Sequence, residues 1–190
     1  MLYNVQLMKF AGANGVAAYG IIMYVSFIFV GTYLGYSIGS APIVSYHYGA
    51  GNHEELKNLF KKSLILICII AVSLTAAAEL SSGLLAGIFV SYDADLLAMT
   101  TTAIRLYSLS YLVSGINIFA SAFFTALNDG LVSAAISFLR TLVFQIIMIF
   151  LLPALFGLEG IWLSILAAEL LGLIVSVFCF KKYAKKYHYV

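Results

Sequence analysis

Gly39-Ser-Ala-Pro-Ile-Val-Ser-Tyr-His-Tyr-Gly-Ala-Gly-Asn52 is the punctuation mark of an otherwise apolar chain. Pro42 lacks a backbone donor and clashes with the preceding turn, so a helix arriving here is expected to kink or end. Gly49 and Gly51 allow a tight reversal. Asn52 has the chemistry of an N-cap, with Glu55 three residues on as a variant of the capping box. Leu56, Leu59 and Phe60 then recur at helical spacing beside Lys57, Lys61 and Lys62, the pattern of a short helix lying in a membrane interface. The segment therefore reads as kinked helix, hairpin turn and interfacial helix.

Upstream of that turn, no Asp, Glu, Lys or Arg occurs from Phe10 to His53. A membrane helix needs about 20 mostly apolar residues, and five stretches qualify: 16–43, 63–90, 103–127, 131–156 and 161–180. Their lengths and apolar runs, the second interrupted by Glu79, suit helices rather than the short alternating strands of a membrane barrel. The fold class expected is an all-α integral membrane protein with five transmembrane helices. Residues 1–10 read as the tail of an earlier helix, and a start of this kind, with an odd helix count, reads as a fragment or truncated product.

Composition agrees. Of 190 residues, 63% are apolar and 9% charged, against about 25% charged in soluble domains, and the mean hydropathy is +1.05. This excludes an ordinary cytosolic enzyme, a disordered chain and a secreted disulfide scaffold. A net charge of +2 gives no basic patch for nucleic acid. Positive residues collect in cytoplasmic loops. Lys57, Lys61 and Lys62 follow the first span; Lys181, Lys182, Lys185 and Lys186 follow the fifth. Four spans separate the two clusters, so both face one side, and the expected topology is a multi-pass protein of the cell membrane with a cytoplasmic C-terminus. Lys9 follows the first apolar residues, and no short apolar run ends in a cleavage pattern, so no secretory signal is read.

Pro42-Ile-Val-Ser-Tyr-His-Tyr-Gly-Ala-Gly-Asn52 resembles the signature of the multidrug and toxic compound extrusion (MATE) family, with Pro42, Tyr46, Gly49, Ala50 and Asn52 as its structural residues. Gly12-Ala-Asn-Gly-Val-Ala-Ala-Tyr-Gly20 resembles the start of that family's eighth helix, and Leu151-Leu-Pro-Ala-Leu-Phe-Gly-Leu-Glu-Gly-Ile-Trp162 the link between its last two. The resemblance implies helices 8 to 12 of a twelve-helix, two-lobe transporter. The chain would then match the C-terminal lobe alone, and it contains no second copy of the signature. Alternating access by rocking one repeat against the other would need the missing N-terminal lobe or a partner supplying it.

Ionisable groups inside hydrocarbon are costly and are functional candidates by default; here they are Glu79, Arg140 and Glu169. Glu79, flanked by Ala76, Ala77, Ala78, Ser81 and Ser82, reads either as a proton- or cation-binding carboxylate or as a hydrogen-bonded interhelical contact. Glu169, beside Ala167, Ala168 and Gly172, is expected as a buried neutral carboxyl, the default for an unpaired acid in low dielectric. The alternative is a role in transport, against which stands the peripheral place that the resemblance implies for the last helix. Arg140 is expected to snorkel to the interface; the alternative is a pair with an acid on another helix. Ser114, Asn117, Ser121 and Thr125 form a polar stripe on one helical face that either lines a cavity or bridges helices. The tenth helix carries a coupling carboxylate in some members of the resembled family; this span has none.

Aromatic residues make up 15% of the chain. Tyr46, Tyr48, Tyr183, Tyr187 and Tyr189 fit an interfacial belt, whereas Tyr33 and Tyr36 are candidates for a cavity wall that holds cations by cation–π attraction. Cys68 and Cys179 are expected as packing thiols, and His47, His53 and His188 have no metal-ligand spacing. No H-E-x-x-H, G-x-S-x-G or Walker pattern occurs, so neither an enzyme nor a metal or other cofactor is expected. The resulting expectation is part of a secondary-active multidrug efflux transporter, exporting small amphiphilic or cationic substrates in antiport with protons or sodium, with membrane lipid as its surroundings. The alternatives are a lipid or lipid-linked oligosaccharide flippase of related fold and a non-transporting membrane assembly subunit.

Overall fold

The computed structural model describes residues 1–190 and is helical from end to end. Its elements are α1 (Leu2–Gly49), α2 (His53–Val90), α3 (Ala94–Ser108), α4 (Tyr111–Ala126), α5 (Gly130–Phe138), a π-helical turn (Leu139–Phe144) and α6 (Gln145–Tyr187).

Two of these helices are folded back on themselves at a glycine. Gly12 has φ 59° and ψ −148° inside α1, and Gly157 has φ 59° and ψ −135° inside α6. That region of backbone space is essentially reserved for glycine. The reversals are real: the rings of Tyr3 and Tyr19 stack at 5.1 Å across Gly12, and Arg140 touches Glu169 across Gly157. A straight helix would hold the latter two roughly 43 Å apart. Residues 2–11 are therefore a short helical arm against the long arm 13–49, and 130–156 and 158–187 are antiparallel partners.

α3 and α4 meet at a bend of 47° around Leu109 and Ser110, so the expected span 103–127 is not one straight helix but begins inside α3 and crosses the bend. Pro42 does not end α1: the helix continues to Gly49, and its one non-helical residue is Gly12. Ile38, whose carbonyl loses its helical donor at Pro42, borders the groove that Pro42 also lines. Nor is there a separate interfacial helix after Asn52. The Asn52 side chain accepts from Glu55 N at 3.2 Å, and α2 then runs unbroken for 38 residues. Its buried stripe (Leu56, Phe60, Ser63, Ile67, Ala71, Thr75, Ala78, Ser82, Ala86, Val90) keeps three- or four-residue spacing throughout. The basic first turns, with Lys57, Lys61 and Lys62 on their exposed side, therefore belong to the same continuous helix as the span.

Small residues set how closely the helices approach. At Gly115 of α4, an added Cβ would lie 2.5 Å from Tyr33 Cε1 and 2.9 Å from Ile67 Cγ2, so α1, α2 and α4 cross there because no side chain intervenes. Two cores result. The one at the basic end, where Asn52, Asp129 and Lys181 lie, is aromatic, with Phe60, Phe119, Phe123, Phe124 and Phe180 mutually packed. The one at the glycine end is built from Leu7, Ile22, Val25, Ile104 and Trp162. Tyr187 and Tyr189, expected in the interfacial belt, are buried in the aromatic core; the Tyr189 hydroxyl donates to Phe180 O at 2.8 Å. The outer surface is apolar, with Phe27, Leu80 and Leu131 each more than four-fifths exposed, as a lipid-facing surface requires.

Asp129 closes the basic end. Its carboxylate caps α5 by accepting from Val132 N at 3.2 Å, accepts from the Tyr187 hydroxyl and lies 3.4 Å from Lys186 Nζ. The Tyr187 bond, above all, holds this carboxyl below the usual carboxylate range.

Candidate functional site

The polar groups of α4 converge with those of the last two helices in the middle of the bundle. Glu169, on the arm 158–187, is 4% exposed, and Asn117 of α4 is fully buried. Arg140 Nη1 lies 2.9 Å from Glu169 Oε1. Asn117 Nδ2 donates to Glu169 Oε2 at 2.7 Å and to Glu169 O at 2.9 Å, and Ser176 Oγ donates to Asn117 Oδ1 at 2.9 Å. Three helical segments are thus tied to one carboxylate. Both oxygens of Glu169 accept from a donor, the condition under which a buried charge is tolerated.

Arg140 is the second residue of the π-helical turn. A π turn inserts an extra residue into helical register and recurs at functional sites. Here consecutive residues, Arg140 and Thr141, both border one cavity. That cavity holds about 140 Å³ and is also lined by Tyr107, Ser110, Tyr111 and Ser114. It suits several waters or one small ion, but not a drug-sized compound, whose pockets run to about 300–1,000 Å³. Arg140 Nε is buried without a protein acceptor.

Several expected roles change. Arg140 does not snorkel; it turns inward and pairs. Glu169 is not an isolated neutral carboxyl, because a guanidinium and an amide both donate to it. Tyr33 is core rather than cavity wall: it is 1% exposed, and its hydroxyl donates to Tyr111 O at 2.8 Å. Tyr36 is half-buried, bonded to Ser63 Oγ at 2.8 Å, and its ring faces Phe119. The polar stripe divides. Ser114 borders the cavity, Asn117 joins the Glu169 network, and Ser121 bridges to Ser133 and Ser137 of α5 at 2.9 and 2.7 Å, with Thr125 reaching Ser133 at 2.8 Å.

Glu79 sits apart. Its Oε1 accepts from Ser108 Oγ at 2.9 Å, while Arg105 Nε donates to Ser82 Oγ at 3.0 Å; together these tie α2 to α3. Of the signature residues, Asn52 caps α2, and Pro42 lines a groove with Ser45, whose hydroxyl donates to Ala126 O at 2.8 Å. Gly49 ends α1 and Ala50 continues its last backbone bonds; Tyr46 is exposed. Sequence reasoning missed Ser176, although Glu169, Gly172 and Ser176 share one helical face by spacing alone. It also missed Asp129 as the tie to Tyr187.

A family model described as MatE matches residues 1–151. The chain belongs to the MatE family. It is 28% identical over 136 residues to the multidrug export protein MepA of Staphylococcus saprophyticus, covering 72% of this chain and 30% of that protein, and 27% identical over the same length to MepA of Staphylococcus aureus strain MSSA476. The chain thus spans under a third of the length of these relatives. Among solved structures, it matches an outward-facing multidrug resistance MATE transporter of the MOP superfamily with a TM-score of 0.91 at 20% identity, over all of this chain and 43% of that one. An inward-facing form matches with a TM-score of 0.89 at 21% identity, over 97% and 43%. A MOP-superfamily transporter from Pyrococcus furiosus matches with a TM-score of 0.89 at 20% identity, over 97% of this chain and 42% of that one.

Proposed function

We propose that this MATE-family chain forms one lobe of a secondary-active exporter of amphiphilic or cationic compounds, working in antiport and completed by a second lobe. The carrying observation is the Arg140–Glu169 ion pair, which borders the cavity of about 140 Å³ and is tied to the buried Asn117 behind it. The equal likeness to outward- and inward-facing transporters supports a lobe that moves as a unit. The 140 Å³ cavity is too small for cargo, so substrate lies against the open face of the lobe and the network serves the coupling ion.

Glu169 can take up a cation only in competition with Arg140. A guanidinium 2.9 Å away opposes both a proton and sodium at that carboxylate. Sodium also needs a shell of several oxygen ligands, whereas a proton needs one carboxylate oxygen, which favours the proton: it neutralises the acid and releases Arg140 from its counter-ion. Loss of that pair loosens the joint between α4, the π turn and the last helix. By the lysine bias, the basic end, with the C-terminus, faces the cytoplasm. The test is dye efflux from cells expressing the full-length protein. An uncoupler is expected to abolish efflux while sodium removal leaves it intact, and Glu169→Gln is expected to uncouple transport. Efflux indifferent to both gradients defeats the reading.

A further inference from the structure

At the basic end, two apolar grooves flank the chain's last residues, and both are lined by Phe60, Leu64 and Val190. One holds about 470 Å³ and is bordered by Lys57 and Lys61. The other holds about 410 Å³, runs along Val177 and Phe180, and is bordered by Lys181. We propose that this pair of grooves binds one anionic phospholipid, its phosphate on Lys57, Lys61 and Lys181 and its two acyl chains in the two grooves.

Three observations select that occupant. First, the three lysines carry uncompensated charge, for the protein's two ion pairs are Arg140–Glu169 and Lys186–Asp129. Lys57 and Lys61 are one turn apart on the same face of α2, where like charges repel, and an anion between them removes that cost. The acids of that first turn, Glu54 and Glu55, lie outside the lining, and Glu55 is bonded to Asn58. Second, polarity is layered along the groove. The lysines stand at its outer end, and the walls below them are Leu64, Ile65 and Val177, with almost no polar surface. Charge above and hydrocarbon below matches a phospholipid and no free anion. Third, basic clusters between helices on the cytoplasmic side are the general form of anionic headgroup recognition, and lysine side chains reach such a phosphate while their methylene stems cover apolar surface. The inference needs the chain to reside in a membrane and is independent of what it transports.

The experiment is native mass spectrometry of the full-length protein in detergent, titrated with phosphatidylglycerol or with phosphatidylcholine of identical chains. One phosphatidylglycerol is expected to stay bound with roughly 100-fold preference, from about a fivefold gain for each of the three lysines. The triple variant Lys57→Ala/Lys61→Ala/Lys181→Ala is expected to bind both lipids alike, whereas Lys9→Ala/Lys62→Ala/Lys182→Ala, which removes the same charge elsewhere, keeps the preference. Amine-reactive labelling of the unmutated protein gives a second reading: phosphatidylglycerol is expected to protect Lys57, Lys61 and Lys181 but not Lys182. Equal retention of the two lipids, unchanged preference in the first triple variant, unprotected lysines, or displacement of the lipid by inorganic phosphate would each overturn the proposal.

Discussion

Glu79 and Glu169 look alike in sequence, each a lone acid in an apolar helix with alanine, serine or glycine on either side. Their surroundings differ. Glu169 is bonded through both oxygens, to a guanidinium and an amide, beside a cavity. Glu79 is half-buried and accepts one serine hydroxyl, and the arginine near it, Arg105, bonds to Ser82 instead. An acid in a membrane helix becomes a joint between elements when a charged donor is delivered to it from another helix. Small neighbours admit the donor but do not supply it.

Removing the donor is the strongest way to break this contrast. Arg140→Ala leaves Glu169 as a buried unpaired carboxylate and is expected to cost about 3–5 kcal/mol, read as loss of unfolding free energy in detergent. Replacing both partners, Arg140→Met with Glu169→Leu, is expected to cost less than the sum of the single changes, and that non-additivity measures the pair. If Arg140→Ala proves as mild as a surface change, Glu169 is no joint and the two acids are equivalent.

Glu79→Gln sharpens the same comparison from the other side. The amide oxygen still accepts from Ser108, so the expected cost stays within about 1 kcal/mol, and efflux by the full-length protein keeps its proton dependence. A collapse of either would move the coupling role from Glu169 to Glu79.

The third acid with a built surrounding, Asp129, lies at the basic end and gives the smallest effect. Its carboxyl is held low chiefly by the Tyr187 hydroxyl. A depressed acid stabilises the fold above its unfolded pKa, and that contribution fades as pH falls through the lower folded value. Asp129→Asn is therefore expected to lower the melting temperature slightly at neutral pH and to flatten its decline under acid, measured by thermal unfolding from pH 7 to pH 3. An unchanged acid limb would leave the Tyr187–Asp129 tie without energetic weight.

The helices were legible in the chain because apolar runs and caps are local properties. Asn52 declares the start of α2 by itself, and the stretch without charge from Phe10 to His53 declares a membrane helix. What was not legible depends on which helix comes alongside. Arg140 lies 17 residues before Gly157 and Glu169 12 after it, so matching by equal depth does not pair them; the π turn and the length of the arginine close the difference. Pro42 misled for a related reason. A proline removes one bond and leaves the path intact, whereas Gly12 and Gly157, which read only as loose motif positions, reverse the chain because their backbone angles exclude other residues. Tyr33 looked deep and aromatic enough for a cavity wall, yet Gly115 on a distant helix had already made room for its ring.

Those two glycine reversals have a practical corollary for anyone wishing to handle the protein. Each turns back within a single residue, so that end of the bundle offers scarcely any loose peptide for a protease, an antibody or a grafted tag to seize. Ser91-Tyr92-Asp93, the short bridge between α2 and α3, is the place there where an epitope can be spliced in without prising a helical hairpin apart.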